Sequence, residues 1–593
     1  MKRKIICLLL AIVMVIGACA ALSSCKKGGD EECTKCVDTK PKDGKCDVCG
    51  KTVKAKCNHV DEDPKDDKCD LCGKAMASAA VEYPWADDDE IPLIFQMSMN
   101  SNSQSLPSGC MRYLAGEDTK FDAKIDKMIA DRNADAYYET NVKVTYKYYD
   151  DNDERYDWGK CISEMYDTIY TNAPGSPDMY CNFQYDLVGT YLKSMFANLK
   201  STKYTGENYF EFTNPDYNEL VDNRGYMYDY MESTTLDKSK MYILASDYFL
   251  DLIRAFFVVP VNIRLLESVG MDITGDIDDK VGFTIDDFYT QVKNRKWTYD
   301  LAAKYSAAVY KKGDKNPGTG TSIHDTLGFA IGNSGLHGTG MLYTTEIEII
   351  EEKINPDTGE KTYYYPENCE PLYDLAKALN DFFSKSGVLL VNKDYTDYGQ
   401  SGALAIRTRF CQDQVLFGST IMIGSLEYDD YQKLKTTEGS GFGVVPVPLY
   451  HEIEEGSDET YLTTIHNIGR PGAIAYNTKY FTQCTAFLNY QSTHSTDILN
   501  FYYDYQLQYD IADGSKGTVE MLQYIRHNVR SAFDKTFEDA LGIYDSNTAN
   551  RWHSVLASAG FKVADMRSEY NTRIAYKQKL LANLYKDFPR FPA

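Results

Sequence analysis

FDAKIDKMIADRNADAYYETNVKVTYKYY (Phe121–Tyr149) is the stretch from which the fold reads outward. From Phe121 to Thr140, Ile125, Met128, Ile129 and Asn133 recur on one face at helical spacing. From Val142 to Tyr149, valines and tyrosines alternate with polar residues, which is the period of a strand. Upstream, Ile91-Pro-Leu-Ile-Phe95 is a short apolar run of strand type, and a polar loop, Ser98 to Ser108, follows it. Strand, helix and strand in this order, repeated along the chain, predict an α/β protein with open, largely parallel sheets.

Composition narrows the function classes. The 593 residues carry 63 basic and 87 acidic side chains, a formal charge of −24. Such a surface repels phosphate backbones and anionic headgroups, so nucleic acid is excluded as a partner. Hydrophobic residues make up 43%, enough to fill cores over most of the length. Aromatic use is uneven, with 48 Tyr and 25 Phe against 4 Trp. Tyr pairs a flat apolar face with a hydroxyl and suits sugar rings, although half-buried strands and helices use it too.

The first 25 residues bear on location. Lys2, Arg3 and Lys4 precede an apolar run from Ile5 to Gly17, too short for a resident span and of signal-peptide length. It ends in Leu22-Ser23-Ser24-Cys25, which resembles the lipobox of bacterial lipoproteins. That resemblance implies cleavage of a signal over 1–24, lipidation of Cys25 and residence on the outer face of the cell membrane. The competing reading is an ordinary secretory signal with an incidental cysteine.

Sixteen cysteines divide the chain, with seven crowded into residues 33–72. Cys33 and Cys36 are followed after nine residues by Cys46 and Cys49; Cys57 and His59 are followed after nine by Cys69 and Cys72. Two such ligand pairs per unit match tetrahedral Zn²⁺ chemistry, and disulfides compete in an oxidising compartment. Residues 25–80 thus read as the anchor and a Cys-rich spacer without a core of its own, and 81–90 as a linker.

The body resembles a known family on an ordered series of landmarks. These are Lys124 to Asn133 with Asn141-Val-Lys-Val; Met241 to Asp247 with Phe256-Phe-Val-Val-Pro-Val-Asn262; and Lys296-Trp297-Thr298-Tyr299-Asp300. Gly441 to Tyr450, marked by Pro446 and Pro448, and His466 to Ala475 complete it. Together they resemble the extracellular solute-binding proteins of ABC importers, the sugar-binding family 1. The resemblance implies a two-lobed, type II periplasmic-binding-protein-like α/β fold with crossing strands at the hinge. It divides the body into a first lobe at 91–260, a second at 261–465, and a C-terminal part at 466–593 that completes both. Relatives often carry a calcium-like loop after the Trp-Thr helix; here Lys311-Lys-Gly-Asp lacks the carboxylate spacing, so no calcium is expected.

The implied function is capture of an oligosaccharide or other polar solute, and delivery to ABC permease subunits. The protein would be a lipid-anchored monomer that needs no cofactor beyond a structural Zn²⁺ in the spacer. Candidate ligand contacts are Asn100, Asn102, Asn182, Tyr185, Asp247, Tyr248, Arg470 and Trp552, whereas Trp297 reads as packing. Two rivals stay open. A secreted glycoside hydrolase would use paired carboxylates, but GxSxG, HExxH and P-loop motifs are absent, and His451-Glu452 lacks the second His. A polysaccharide-binding adhesin without a transporter would share the same anchor and aromatic character.

Overall fold

The computed structural model describes residues 83–85, 89–98, 110–117, 123–149, 161–201, 207–213, 225–269, 283–313, 325–332, 335–354, 361–391, 396–397, 400–436, 441–454, 457, 459–466, 468–507, 516–537, 541, 551–558 and 560–587. The predicted lipid site and the whole Cys/His set of the spacer lie outside these residues, as do Asn100 and Asn102. Described residues from Asp89 onward belong to one compact unit, Asp88–Ala593.

Strand β1 (Ile91–Met97) buries Leu93, Phe95 and Met97 completely. Helix α1 (Ala123–Thr140) carries the chain over to β2 (Val142–Tyr148), as a parallel crossover requires. Its predicted inner face is observed: Ile125 and Ile129 are fully buried, and Asn133 Nδ2 donates to the Leu114 carbonyl at 2.9 Å. Asn141 ends the helix with φ 50° and returns its N–H to the Tyr137 carbonyl at 2.9 Å, so the chain turns directly into β2. Strand β3 (Met179–Cys181) then joins β1 in parallel on its other edge, and α2 (Gln184–Tyr191) follows it.

A second sheet begins with β4 (Phe257–Asn262), buried at every position. Its other members are β5 (Leu327–Gly332), β6 (Val388–Val391), β7 (Val415–Phe417), β8 (Ile421–Met422) and β9 (Phe442–Val445). Their order is β8-β4-β7-β5-β6, with β9 also paired to β4. Strand β10 (Gly472–Ile474) returns to the first sheet, whose order is β10-β3-β1-β2.

The parallel expectation holds for β1, β2 and β3 and for β5, β6 and β7. It fails at β4, antiparallel to β7, β8 and β9, and at β10, antiparallel to β3. The reason is connectivity: β4 and β10 arrive straight from the opposite sheet, without the helical crossover that makes neighbours parallel. Leu244 exchanges two backbone hydrogen bonds of 2.8 Å with Gly472 beside the first sheet. Phe257 N–H then meets the Thr464 carbonyl at 3.2 Å, and His466 N–H the Ala255 carbonyl at 2.9 Å, at the second. Residues 244–257 and 464–472 are therefore two antiparallel crossing segments between two α/β halves, the two-lobed architecture expected. The expected boundary at residue 260 falls inside β4, which belongs wholly to the second sheet.

The second half is organised around Trp297, which lies between α3 (Ile285–Lys293) and α4 (Tyr299–Val309). It is fully buried, with its ring centroid 5.1 Å from Phe288 and 4.8 Å from Phe417. Next to it, Thr298 caps α4 as predicted, its Oγ1 accepting the Leu301 N–H at 3.2 Å. Thr298→Ala is expected to cost about 1 kcal/mol in urea denaturation and Thr298→Ser nearly nothing, since only the accepting hydroxyl matters. Strand β5 packs on α4 so closely that a methyl group at Gly328 would stand 1.9 Å from Ser306 Cα.

Candidate functional site

In open α/β sheets the C-terminal strand ends and their loops supply ligand contacts. In the first sheet the chain leaves β1 at Ser98 and β3 at Asn182. Asn182 is 1% exposed; its Oδ1 accepts the Phe183 N–H at 2.8 Å, while its Nδ2 has no hydrogen-bond partner. Gln184 opens α2, tied by its N–H to the Gly469 carbonyl at 3.0 Å. Its Nε2 donates to Ser531 Oγ at 3.0 Å and its Oε1 is left without a partner.

The second sheet offers the ends of β5 and β7. After β7 come Ser419 and Thr420, and after β5 comes α5 (Gly335–Tyr343), which bears His337. His337 Nδ1 lies 2.9 Å from the Thr420 carbonyl and 2.8 Å from Ser419 Oγ. A carbonyl can only accept, so this network assigns the proton to Nδ1, and Ser419 Oγ receives a hydrogen bond there. The imidazole therefore does not take the serine's proton through Nδ1, and the pair is not built as a nucleophile and its base. Burial pushes the His337 imidazole down to about 4, so it is neutral at physiological pH.

A third strand of chain lies across both halves. Arg530 N–H donates to the Thr463 carbonyl at 2.9 Å, just ahead of the returning crossing segment. Thr536 Oγ1, in the short helix α6 (Phe533–Thr536), donates to Ser531 Oγ at 2.7 Å. Asp534 accepts from Tyr343 OH at 2.8 Å, which attaches this segment to α5. Helix α7 (Trp552–Ser558) closes the arrangement, with the His553 ring edge-on to Tyr343 at 5.7 Å.

Among the buried polar atoms without a hydrogen-bond partner, six stand on the strand ends, crossing segments and helices just described. They are Asn182 Nδ2, Gln184 Oε1, His553 Nδ1 and the hydroxyls of Thr420, Thr463 and Thr464. All six residues are at most 4% exposed. A buried polar group left unpaired costs about 1–3 kcal/mol, so each of these atoms is a candidate for a bond to water or to a polar ligand.

The residues expected as contacts fare differently. Asn182 belongs to this group. Tyr185 is 3% exposed in the first turn of α2, stacked on Phe183 with ring centroids 5.9 Å apart. Asp247 meets Arg526 Nε at 2.6 Å and Thr496 Oγ1 at 2.8 Å, joining the outgoing crossing segment to later helices. Burial, the largest influence, raises its carboxyl above the ordinary value against the pull of Arg526. Tyr248 is fully buried beneath the Arg132 guanidinium at 4.8 Å. Arg470 is fully buried, ion-paired to Asp251, bonded to Ser98 Oγ at 3.0 Å and stacked over Phe183 at 4.8 Å. Trp552 is 1% exposed among Tyr365 and Tyr570, at 6.2 and 5.0 Å. Gln184, His337, Thr420, Thr463, Thr464 and His553 were missed, because no spacing in the sequence joins residues so far apart. Thr463-Thr464 just ahead of a recognised crossing segment was the one local signal.

No protein-family model matches the chain, and no curated protein matches it. Among solved structures it is similar to the sugar-binding protein MalE from Xanthomonas citri, at 10% identity and a TM-score of 0.47, over 84% of this chain and 100% of that one. It is also similar to the galacto-N-biose-/lacto-N-biose I-binding protein of the ABC transporter from Bifidobacterium longum, at 11% identity and a TM-score of 0.43, over 86% and 100%. A probable secreted solute-binding lipoprotein from Streptomyces coelicolor matches at 11% identity and a TM-score of 0.42, over 84% and 100%.

Proposed function

We propose that this chain is the substrate-binding protein of an ABC importer, held to the outer face of the cell membrane by lipid at Cys25, and that it captures a carbohydrate between its two halves. One observation carries the reading: unpartnered buried polar atoms come from the strand ends of both sheets and from the segment that crosses between them. A ligand that bonds both halves binds the closed arrangement better than an open one, and that difference in affinity shifts the population. A permease then recognises the closed form, and no covalent step is needed. Among the described residues no helix is long and apolar enough to cross a membrane, in keeping with attachment by lipid. Asn182 is the proposed contact within the described residues; Asn100 and Asn102, in the loop after β1, are proposed beside it. Residues 33–72 are proposed as a spacer held by Zn²⁺ or disulfides.

Thermal-shift screening of the full chain against oligosaccharides, peptides and amino acids tests this. A ligand at a hundredfold excess over its dissociation constant is expected to stabilise the fold by about 2.7 kcal/mol. A saccharide that raises the melting point and is recovered intact supports the reading. Cleavage of that saccharide would establish the hydrolase instead, and a response only to peptides would remove carbohydrate as the cargo.

A further inference from the structure

Two halves joined by crossing segments rotate about those segments, so side-chain contacts made between the halves bear on their relative position. One such contact is built around Tyr113. The short helix Cys110–Ala115 lies between β1 and α1 of the first half. It is fixed to α1 at two points: Arg112 Nε donates to Asp126 Oδ1 at 2.8 Å, and the Tyr113 carbonyl accepts from Arg132 Nη2 at 2.9 Å. Tyr113 therefore moves with the first half.

Arg254 is fixed to the other half. Its carbonyl accepts the Gly424 N–H at 2.8 Å, and the Phe256 carbonyl accepts the Ile423 N–H at 2.9 Å. Its guanidinium is gripped at 2.8 Å by both oxygens of Glu427, which ends the turn Ile423–Glu427 directly after β8. The Tyr113 ring centroid lies 5.4 Å from this guanidinium and 5.3 Å from that of Arg112. Tyr502 meets the same ring edge-on at 6.1 Å, and its hydroxyl donates to Glu427 Oε1 at 2.5 Å. Tyr113, Arg254 and Tyr502 are each at most 4% exposed. A ring from the first half is thus held between a cation of its own half and a cation of the second.

Each of the two arginines has a carboxylate of its own, Asp126 or Glu427, so the ring gains their attraction without uncompensated charge beside it. The crossing segments are continuous chain and bend when the halves rotate. The ring has no such tether to Arg254; a rotation that parts the halves withdraws it and wets both partners.

We propose that Tyr113 is the catch that sets the balance between the open and closed arrangements, its ring on Arg254 holding the halves as they are described here. A desolvated contact of this kind biases such a balance by roughly tenfold or more. A ligand that needs both halves binds more weakly in proportion as this arrangement is depopulated. Tyr113 acts through Arg254 and is a positioning residue. The proposal rests on the proposed function in taking opening and closing as the motion of capture.

Two measurements on the full chain, with no solute added, test this: small-angle X-ray scattering and amide exchange over residues 244–257 and 464–472. Tyr113→Leu removes the ring and is expected to enlarge the radius of gyration. It is also expected to speed exchange in both crossing segments by roughly tenfold, which reads a shift too small to change the mean size. Tyr113→Phe keeps the ring and is expected to behave as the unaltered chain in both measurements. Tyr502→Phe loses the bond to Glu427 and keeps the ring on Arg254, so it is expected to melt lower without opening. Should the leucine variant fail to fold, Tyr113→Met, which fills the space without a ring, is measured in its place. No change in size or in crossing-segment exchange overturns the proposal. Equal changes in Tyr502→Phe would show general loosening and overturn it too. None of these readouts depends on the cargo, so a thermal screen in which no saccharide responds removes the proposed function and leaves this result standing.

Discussion

Replacing Arg470 with methionine is expected to destabilise the fold by about 3–5 kcal/mol, because it withdraws one partner from a buried ion pair and strands charge in a low-dielectric interior. Arg470 is fully buried in the segment returning to the first sheet, and Asp251, its partner on the outgoing segment, is 1% exposed. Asp251 also meets Arg254 at 2.6 Å, and Arg254 is held by both Glu427 carboxylate oxygens at 2.8 Å. Both crossing segments and a residue of the second half are thus tied through one charged network. Methionine keeps much of the packing over Phe183 and removes the charge. Urea denaturation checks the figure. A loss below about 1 kcal/mol, the range of a surface pair, would show that the network does not brace the crossing. Asp251→Asn combined with Arg470→Met is expected to cost less than the sum of the two, since each alone already breaks the shared pair.

Trp297→Ala is expected to cost about 3–5 kcal/mol, as for a large aromatic removed from a packed core that cannot collapse into the space. The indole touches Phe288 of α3 and Phe417 of β7, and its Nε1 donates to the Pro446 carbonyl at 2.8 Å. One side chain therefore joins a helix, a central strand and the chain leaving β9. Trp297→Phe keeps the ring contacts and leaves the Pro446 carbonyl unsatisfied, so about 1–3 kcal/mol is expected. Urea denaturation of the two variants separates the cavity from the hydrogen bond. Equal losses would assign the whole effect to the Nε1 donor.

Periodicity served well wherever a residue's role depended on its neighbours along the chain. The inner face of α1, the alternation in β2 and the cap at Thr298 are decided by backbone geometry within four residues. The site is another matter. Asp247, Tyr248 and Arg470 were picked out because polar or aromatic residues stand beside recognised crossings, and that signal locates the hinge well. It does not tell whether such a side chain faces a ligand or the opposite crossing. Arg470 faces Asp251, 219 positions away in sequence, and Asp247 faces Arg526, 279 positions away.

By itself the sequence determined the alternation of strands and helices, the landmarks of both crossings, the packing role of Trp297 and the acidic surface. All of these follow from local periodicity, from composition, or from motifs short enough to read in one stretch. Only the tertiary structure decided that β4 and β10 run antiparallel to neighbours in their sheets, because strand direction depends on which sheet the chain has just left. It alone buried Asn182, Gln184, Thr420, Thr463, Thr464 and His553 along the strand ends, crossing segments and late helices. The unsatisfied hydrogen bonds of these residues arise from burial, and burial is a property of the whole fold.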